Sequence, residues 1–286
     1  MFRYARPTSL ADALALLRDV PEARALCGGT DLLVGLRKGT VSTPLVVDLK
    51  RIADLPAGIE AQDRTLRISA TTVLSDVIAD ERVRDHFPAL VESARVVGSI
   101  QIRNRATLAG NLCNASPAAD TAPALLVYGA VVELVGHAGR RRVPVDDFFV
   151  GPRRTLLRPG ELLSAVELPL PEGPLGSGFE RMTRRRGVDL ATVSVCCSVS
   201  ARGVTTFAFG AVGPRPFLAV DDAGTLADPA GDERSRDEVL RTLTAEATPV
   251  SNVRASREYR QEMLLVLSRR ALVTARRRLE EASRAA

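Results

Sequence analysis

The sequence predicts an α+β protein. Leucines at helical spacing behind Ser9 predict a first helix, which ends before Pro21. Apolar runs at 44–48 and 131–135, each flanked by turn-forming residues, predict strands. Close to the C-terminus, residues 257–282 have apolar positions on one side and arginines on the other, which is the pattern of an amphipathic helix. Because these elements do not alternate as regular βαβ units, the sequence favours an α+β class over a doubly wound α/β class.

The length of the chain predicts two domains. At 286 residues it is longer than one average domain, and its content of 45% hydrophobic and 26% charged residues is that of a globular protein. A stretch rich in proline and glycine, 169–178, has the composition of a linker. We therefore expect one domain over 1–172 and a second domain over 173–286.

The charge balance argues against a nucleic-acid partner. Of the 39 basic residues only Lys38 and Lys50 are lysines, and the net charge is +5. Aromatic residues make up only 4% of the chain and do not interleave the arginine runs, so the arginines are expected on a solvated surface. No apolar stretch reaches the roughly 18 residues of a membrane span, and the N-terminal residues lack the apolar segment of a signal peptide. We expect a cytoplasmic protein without a nucleic-acid or membrane partner.

The cysteine and histidine pattern argues against a metal site. The cysteines are Cys27, Cys113, Cys196 and Cys197. They form no CxxC pair, and the two histidines, His86 and His137, lie far apart without a carboxylate cluster nearby. We expect neither a zinc nor an iron–sulfur site in this chain, and free, buried thiols in a reducing compartment.

Two short glycine-containing segments are the candidates for chemistry. The first follows a strand predicted at 25–27. It consists of Gly28, Gly29, Thr30, Asp31 and Leu32. Consecutive glycines permit positive φ and remove side chains, so several backbone N–H groups can converge on an anion. Taken alone, such a segment is also compatible with a plain turn.

The second segment runs from Thr107 to Asn111, within a stretch predicted to be rich in turns, 98–123. Gly110 again allows a ligand to approach the backbone, while Thr107 and Asn111 supply neutral hydrogen-bonding groups. Downstream, Ser116 offers a hydroxyl, and Asp120 can accept hydrogen bonds from ribose or ribityl hydroxyls. Since neighbouring arginines favour an anion, the two segments together can hold one extended diphosphate from two sides.

Several common motifs are absent. Neither segment fits the GxxxxGK[ST] phosphate loop or the GxGxxG dinucleotide fingerprint, and the chain has no GxSxG elbow. ATP hydrolysis, Rossmann-type NAD binding and nucleophilic hydrolysis are therefore disfavoured. Binding of a diphosphate through backbone amides is the interpretation that these residues support.

The motifs around both segments closely resemble those of one family. The matching stretches are Gly28-Gly-Thr-Asp-Leu-Leu33, Gly98-Ser-Ile-Gln-Ile-Arg-Asn104, Thr107-Leu-Ala-Gly-Asn-Leu-Cys-Asn-Ala-Ser-Pro-Ala-Ala-Asp120, Pro123-Ala-Leu-Leu126, Phe148-Phe-Val-Gly-Pro152, Gly160-Glu-Leu-Leu163 and Tyr259-Arg260. In this order, and over nearly the whole chain, they resemble the FAD-binding (medium) subunit of molybdenum hydroxylases. That family includes bacterial xanthine dehydrogenases and aerobic carbon monoxide dehydrogenases.

The resemblance implies a fold and a set of FAD-binding residues. The fold is an FAD-binding domain of the p-cresol methylhydroxylase type with two α+β subdomains, followed by a small C-terminal α+β domain of the carbon monoxide dehydrogenase flavoprotein type. The diphosphate falls at the two glycine segments, the sugar portion beside Ser116 and Asp120, and the isoalloxazine ring beside Val97 and Leu163. The residues expected to bind FAD are Ala25, Leu26, Cys27, Gly28, Gly29, Thr30, Asp31, Leu32, Val97, Thr107, Ala109, Gly110, Asn111, Ser116, Asp120, Leu163, Glu180 and Arg181.

Two positions depart from the family pattern. Ala109 stands where many relatives have glycine, which is compatible with FAD if the φ of Ala109 is negative. Many relatives have a lysine after the linker, where this chain has Glu180 followed by Arg181. Arg181 can supply the positive charge, although a guanidinium and an ammonium differ in geometry.

The activity that the resemblance implies is electron transfer. Molybdenum chemistry would take place on a molybdopterin-binding large subunit, and electrons would pass through a 2Fe–2S small subunit to the FAD of this chain and on to NAD, oxygen or another acceptor. No catalytic residue is expected in this chain. Two alternatives stay open: a stand-alone flavin oxidase or dehydrogenase acting directly on a small molecule, and a flavin-free scaffold subunit.

Overall fold

The structure is a computed structural model that describes residues 2–285. These residues form two compact units, each assembled from separate stretches of chain. The first unit contains the chain up to Asp80 together with Gly98–Ala115 and Ala130–Pro169. The second contains Glu81–Val97, Ser116–Gly129 and the chain from Leu170 onward.

Helices and strands mix without regular βαβ alternation, which confirms the predicted α+β class. In chain order the strands are β1 (Arg3–Ala5), β2 (Arg24–Leu26), β3 (Leu45–Asp48), β4 (Ile59–Gln62), β5 (Thr65–Ser69), β6 (Val131–Gly136), β7 (Gly139–Pro144), β8 (Phe149–Gly151), β9 (Arg154–Thr155), β10 (Leu162–Pro169), β11 (Leu175–Met182), β12 (Val193–Ser200), β13 (Thr205–Gly210) and β14 (Phe217–Asp221). The helices are α1 (Leu10–Asp19), α2 (Leu32–Arg37), α3 (Leu74–Ala79), α4 (Glu81–His86), α5 (Pro88–Arg95), α6 (Ile100–Arg103), α7 (Leu108–Asn114), α8 (Thr121–Val127), α9 (Val145–Phe148), α10 (Glu233–Thr244) and α11 (Arg257–Ala285).

The first unit is built on two larger sheets. Strands β1, β3 and β2 pair in parallel, and β4, β5, β10, β6 and β7 form an antiparallel sheet in that order. Helix α1 begins at Leu10 because the Ser9 side chain accepts a hydrogen bond from the Asp12 amide. Its buried leucines, including Leu17, pack in one core cluster with Val47 of β3. Strand β2 lies at the edge of this packed sheet, and the first glycine segment follows shortly after β2 ends.

The second unit is an antiparallel sheet, β11-β12-β13-β14, with α11 packed on one face. Its core contains Phe207 and Phe209 from the sheet and Leu264 and Leu267 from α11. The helix approaches β11 closely because Gly176 has no side chain: a Cβ there would lie 1.9 Å from the carbonyl oxygen of Ala275. This close packing fixes which side chains of β11 turn toward α11 and which turn away.

Buried polar contacts hold α5 and the end of α8 to the other side of β11. The Tyr128 hydroxyl lies 2.5 Å from the Ser177 hydroxyl and accepts a hydrogen bond from the Ala89 amide at 3.1 Å. Glu92 accepts a hydrogen bond from the Phe179 amide at 3.1 Å. Since side chains alternate along a strand, residues at odd positions of β11 face these two helices.

One prediction about irregular segments is wrong, and a second is right only in part. Residues 98–123, predicted to be rich in turns, contain α6, α7 and the start of α8, because Ser99 and Thr107 each cap a short helix. Half of the predicted linker is strand, since Pro169 ends β10 and β11 already begins at Leu175, while residues 170–174 connect the two strands where the chain passes from the first unit to the second. The glycines of β11 serve close packing rather than flexibility, a distinction that composition does not reveal.

The cysteines are only partly as predicted. Cys196 and Cys197 are buried in β12, Cys27 is half-buried, and Cys113 is exposed on α7, so the prediction of a buried thiol is wrong for Cys113. It fails because a helix of seven residues buries only the side of Leu108 and Leu112. Within residues 2–285, no helix combines the length and apolar character needed to cross a membrane.

Candidate functional site

The first glycine segment leaves β2 with a row of free backbone amides. Gly29 has a φ of +75°, which glycine adopts without strain. Helix α2 starts where the Leu33 amide donates to the Gly29 carbonyl at 3.0 Å. Within the described chain, none of the five amides from Gly28 to Leu32 donates to a protein acceptor. These N–H groups are available to a ligand, and an anion is the ligand that converging amides favour.

The second glycine segment is the first turn of α7 rather than a loop. The Thr107 hydroxyl accepts a hydrogen bond from the Gly110 amide at 3.0 Å and so caps the helix. The Ala109 amide precedes the first helical hydrogen bond and has no acceptor among the residues described, whereas the antiparallel bridge between Val73 and Thr107 turns the Leu108 amide toward the Thr72 carbonyl. Because Ala109 is helical, its φ is negative and its methyl group meets the condition set by the sequence.

The two segments touch each other in the first unit. A Cβ at Gly28 would lie 2.0 Å from the Arg105 carbonyl oxygen and 2.9 Å from the Ala106 Cα. One residue earlier, burial raises the pKa of the Cys27 thiol to about 11, against the lowering effect of Thr107. The contact places the free amides of the two segments beside each other, and the neutral thiol adds no competing charge.

Lys50 supports the first segment, and sequence reasoning missed it. The Lys50 ammonium donates to the Cys27 carbonyl at 3.1 Å and to the Asp48 carboxylate at 2.6 Å. Asp48 is buried, and it also accepts a short hydrogen bond from the Tyr4 hydroxyl. The available signal was that Lys50 is one of only two lysines, placed directly after an apolar strand.

In the second unit, Asp120 and Arg181 form a buried pair that is incompletely satisfied. The Arg181 Nε lies 3.3 Å from the Asp120 Oδ1, but neither atom has a hydrogen-bond partner of good geometry. Burial raises the pKa of the Asp120 carboxyl to about 7, against the lowering effect of Arg181. Arg181 also donates to the Val96 carbonyl at 2.8 Å. Buried polar atoms without partners are uncommon, and at a binding site a ligand can supply the missing bonds.

The pleat of β11 separates Arg181 from Glu180. Arg181 lies on the side of Asp120, whereas Glu180 lies near Arg270 of α11, whose charge lowers the Glu180 pKa against the larger raising effect of burial. Alternation along a strand accounts for this difference. The structure therefore does not bring Glu180 and Arg181 to one face.

The remaining expected residues are distributed between the units. Leu163 is buried in β10 of the first unit. In the second unit, Val97 is half-buried after α5, and Ser116 accepts a hydrogen bond from the Ala118 amide at 3.3 Å. Arg184, beyond the end of β11, has its Nε 3.5 Å from the Asp189 Oδ2, and its side chain is exposed.

Comparisons with known proteins identify the family. Residues 1–171 match the family described as the FAD binding domain in molybdopterin dehydrogenase, and residues 178–275 match the CO dehydrogenase flavoprotein C-terminal domain. The xanthine dehydrogenase FAD-binding subunit of Escherichia coli O157:H7 is 31% identical over 276 residues, which cover 94% of each chain. The carbon monoxide dehydrogenase medium chain of Afipia carboxidovorans is 33% identical over 282 residues, 97% of each chain. A chain of the reconstituted CO dehydrogenase from Oligotropha carboxidovorans superposes with a TM-score of 0.90 at 31% identity, covering 97% of this chain and 98% of that one.

The chain belongs to the FAD-binding medium subunits of the molybdenum hydroxylases. It is thus a subunit of an oxidoreductase, and its cofactor is FAD. The residues of this medium subunit fit that cofactor. A Cβ at Gly110 would meet only the Thr107 hydroxyl within 4 Å, so the backbone beside the free amides is open to a diphosphate. The unsatisfied Asp120 and Arg181 atoms are polar groups of the kind that FAD hydroxyls can partner.

Replacing Gly110 tests the diphosphate site without disturbing the fold. We expect Gly110→Ala to raise the dissociation constant for FAD about tenfold or more, because the new methyl group occupies the open space beside the amides. The FAD-free variant should melt close to wild type, since alanine favours a helix over glycine by up to about 1 kcal/mol, while its Cβ crowds the capping Thr107 hydroxyl at 3.1 Å. FAD titration followed by flavin fluorescence and thermal melting measure both effects. Gly173→Ala, where a Cβ would meet nothing within 4 Å, is the control; equal FAD affinity in both variants would contradict the assignment.

The raised pKa of Asp120 predicts a pH dependence of stability. A carboxyl that titrates at about 7 in the folded chain and at 3.8 in the unfolded chain binds more protons when folded. Between these two pH values, the free energy of unfolding of FAD-free wild type should therefore fall with rising pH relative to Asp120→Asn, and the difference should be flat above about pH 7. Urea unfolding of both chains across this range measures the difference. A difference that does not vary with pH would show that Asp120 has an ordinary pKa.

Proposed function

We propose that this medium subunit carries electrons from the iron–sulfur clusters of a partner chain, through its FAD, to NAD or another soluble acceptor. The partners of the proposal are a molybdopterin-binding large subunit and a 2Fe–2S small subunit. It is supported by relatives that are named as medium chains or FAD-binding subunits and that align over nearly their whole length. In this proposal the FAD-binding domain spans 1–172 and the C-terminal domain 173–286.

The observation that carries the proposal is the pair of adjacent amide groups in the first unit. Amides from Gly28 to Leu32 and that of Ala109 offer donors without competing protein acceptors among the described residues. A diphosphate carries about two negative charges and many acceptor oxygens, so it matches this set of donors in charge and in hydrogen bonding. Binding through backbone amides also needs no mobile side chain, which keeps the cofactor in one position.

The side chains then have distinct tasks. Lys50 and Asp48 hold the first segment, and Thr107 fixes the start of α7. Asp120 and Arg181 are proposed to bond the sugar portion, which would satisfy two buried atoms that lack partners. Val97 and Leu163 are proposed as apolar contacts of the ring, which restrict water around it. When bound, FAD supplies the redox chemistry by exchanging electrons with donors and acceptors.

The position of FAD as the electron exit can be tested in the assembled complex. Complexes containing wild-type subunit or the Gly110→Val subunit, whose larger side chain should exclude FAD, are purified and reduced without oxygen. NAD⁺, oxygen or ferricyanide is then added separately, and reoxidation of the iron–sulfur clusters is followed by electron paramagnetic resonance. We expect rapid reoxidation of the wild-type complex by at least one of the physiological acceptors, and reduced clusters that persist in the FAD-free complex.

The alternatives give different results. Equal reoxidation rates with and without FAD would contradict the proposal and favour a scaffold role. A yellow subunit that never co-purifies with molybdenum and iron–sulfur chains, and that oxidises a small substrate alone, would favour a stand-alone flavin enzyme.

A further inference from the structure

Arg260 is a buried cation without a carboxylate partner. It lies in the first turn of α11 and is 3% exposed. Its guanidinium donates to the Thr192 carbonyl, to the Ala211 carbonyl at 3.1 Å and to the Asn252 side-chain oxygen at 2.9 Å. Across residues 2–285, no aspartate or glutamate forms an ion pair with it. Burial of a charge on neutral acceptors is costly, so these three contacts need an explanation.

The hydrogen bond to the Ala211 carbonyl links Arg260 to the segment of Asp120. Ala211 has a φ of +63°, a left-handed conformation that an alanine adopts only with strain. Both peptide groups of Ala211 are hydrogen-bonded: its carbonyl accepts from Arg260, and its amide donates to the Pro117 carbonyl at 2.8 Å. Pro117 lies in the short segment from Ser116 to Asp120. Through Ala211, the guanidinium therefore fixes the backbone that presents Asp120.

The hydrogen bond to the Thr192 carbonyl links Arg260 to the end of β11, next to Arg181. Thr192 is buried, its carbonyl accepts from Arg260, and its amide donates to the Met182 carbonyl at 2.8 Å. Met182 is the residue after Arg181, and the hydrogen bond closes the loop that joins β11 to β12. The same guanidinium thus holds the backbone on the other side of the pair.

We propose that Arg260 is a positioning residue for the flavin site, which sets the distance between Asp120 and Arg181 without touching FAD. A planar guanidinium suits the task, because it donates to several acceptors at fixed angles, whereas an ammonium is a single flexible point charge. The inference rests on the proposed function to the extent that Asp120 and Arg181 bind FAD. It differs from a purely stabilising role, which would weaken the second unit without a specific effect on these two segments.

The test compares Arg260→Met and Arg260→Lys with Arg269→Met in the full-length chain. Arg269 is a matched control, since it lies on the same helix and makes two 2.8 Å hydrogen bonds to Asp237, away from both segments. Hydrogen exchange of the FAD-free chain, read by mass spectrometry, should rise in peptides covering 116–120 and 182–192 for both Arg260 variants and stay unchanged there for Arg269→Met. The FAD release rate should rise about tenfold in Arg260→Met and less in Arg260→Lys, which retains the charge.

The possible results separate the two claims. If Arg260→Met does not fold, Arg260→Lys must still show faster exchange in both segments than Arg269→Met, or the inference fails. If exchange and FAD release match those of Arg269→Met, Arg260 is only a stabilising residue. Asp120→Ala is measured alongside: unchanged FAD release in that variant would overturn the flavin assignment of the pair, whereas faster release there with normal release in Arg260→Met overturns the positioning role alone.

Discussion

The proposed diphosphate site depends on a contact that only glycine permits at position 28. The backbone there lies so close to the Arg105 carbonyl that any side chain would displace one of the two segments. Because of this contact, the amides at the end of β2 and those at the start of α7 lie side by side. Three further features keep these two backbones in place: the parallel pairing of β2 with β3, the Thr107 cap and the hydrogen bond from Lys50 to the Cys27 carbonyl.

Backbone amides explain how the site can tolerate variation in its side chains. Ala109 stands where the family resemblance implies a glycine, yet in the first turn of a helix its methyl group leaves the amide free. Short helices such as α2 and α7 contribute little through a macrodipole, so the free N–H groups themselves are the source of anion affinity. The motifs that carry the family resemblance are therefore those that fix the backbone geometry of the two segments, not a set of charged side chains.

The second unit follows a different principle, in which charge is buried and held by neutral groups. Asp120 and Arg181 face each other at 3.3 Å without good hydrogen-bond geometry, an arrangement that leaves room for a third group. The alternation of β11 decides that Arg181, and not Glu180, meets Asp120. The packing of α11 on Gly176 and Gly178 fixes which face of β11 turns toward the helix. Arg181 therefore lies on the opposite face, beside Asp120.

Much of this arrangement could be predicted from the sequence, and the failures have physical causes. Local signals sufficed for α1, which has a side-chain cap, and for β2 with the glycines that follow it. The start of α7 was missed because a turn-rich composition also suits a capped helix of seven residues. The supporting roles of Lys50 and Arg260 were missed, although Tyr259-Arg260 is one of the matching motifs, because the acceptors are backbone carbonyls distant in sequence.

A crystal structure of the FAD-loaded chain tests the central claim most directly, namely that the amides of the two segments hold the diphosphate. It should show phosphate oxygens about 3 Å from backbone nitrogens within 28–32 and from that of Ala109. A diphosphate bound elsewhere, or held mainly by arginine side chains with these amides in contact with water, would contradict the claim.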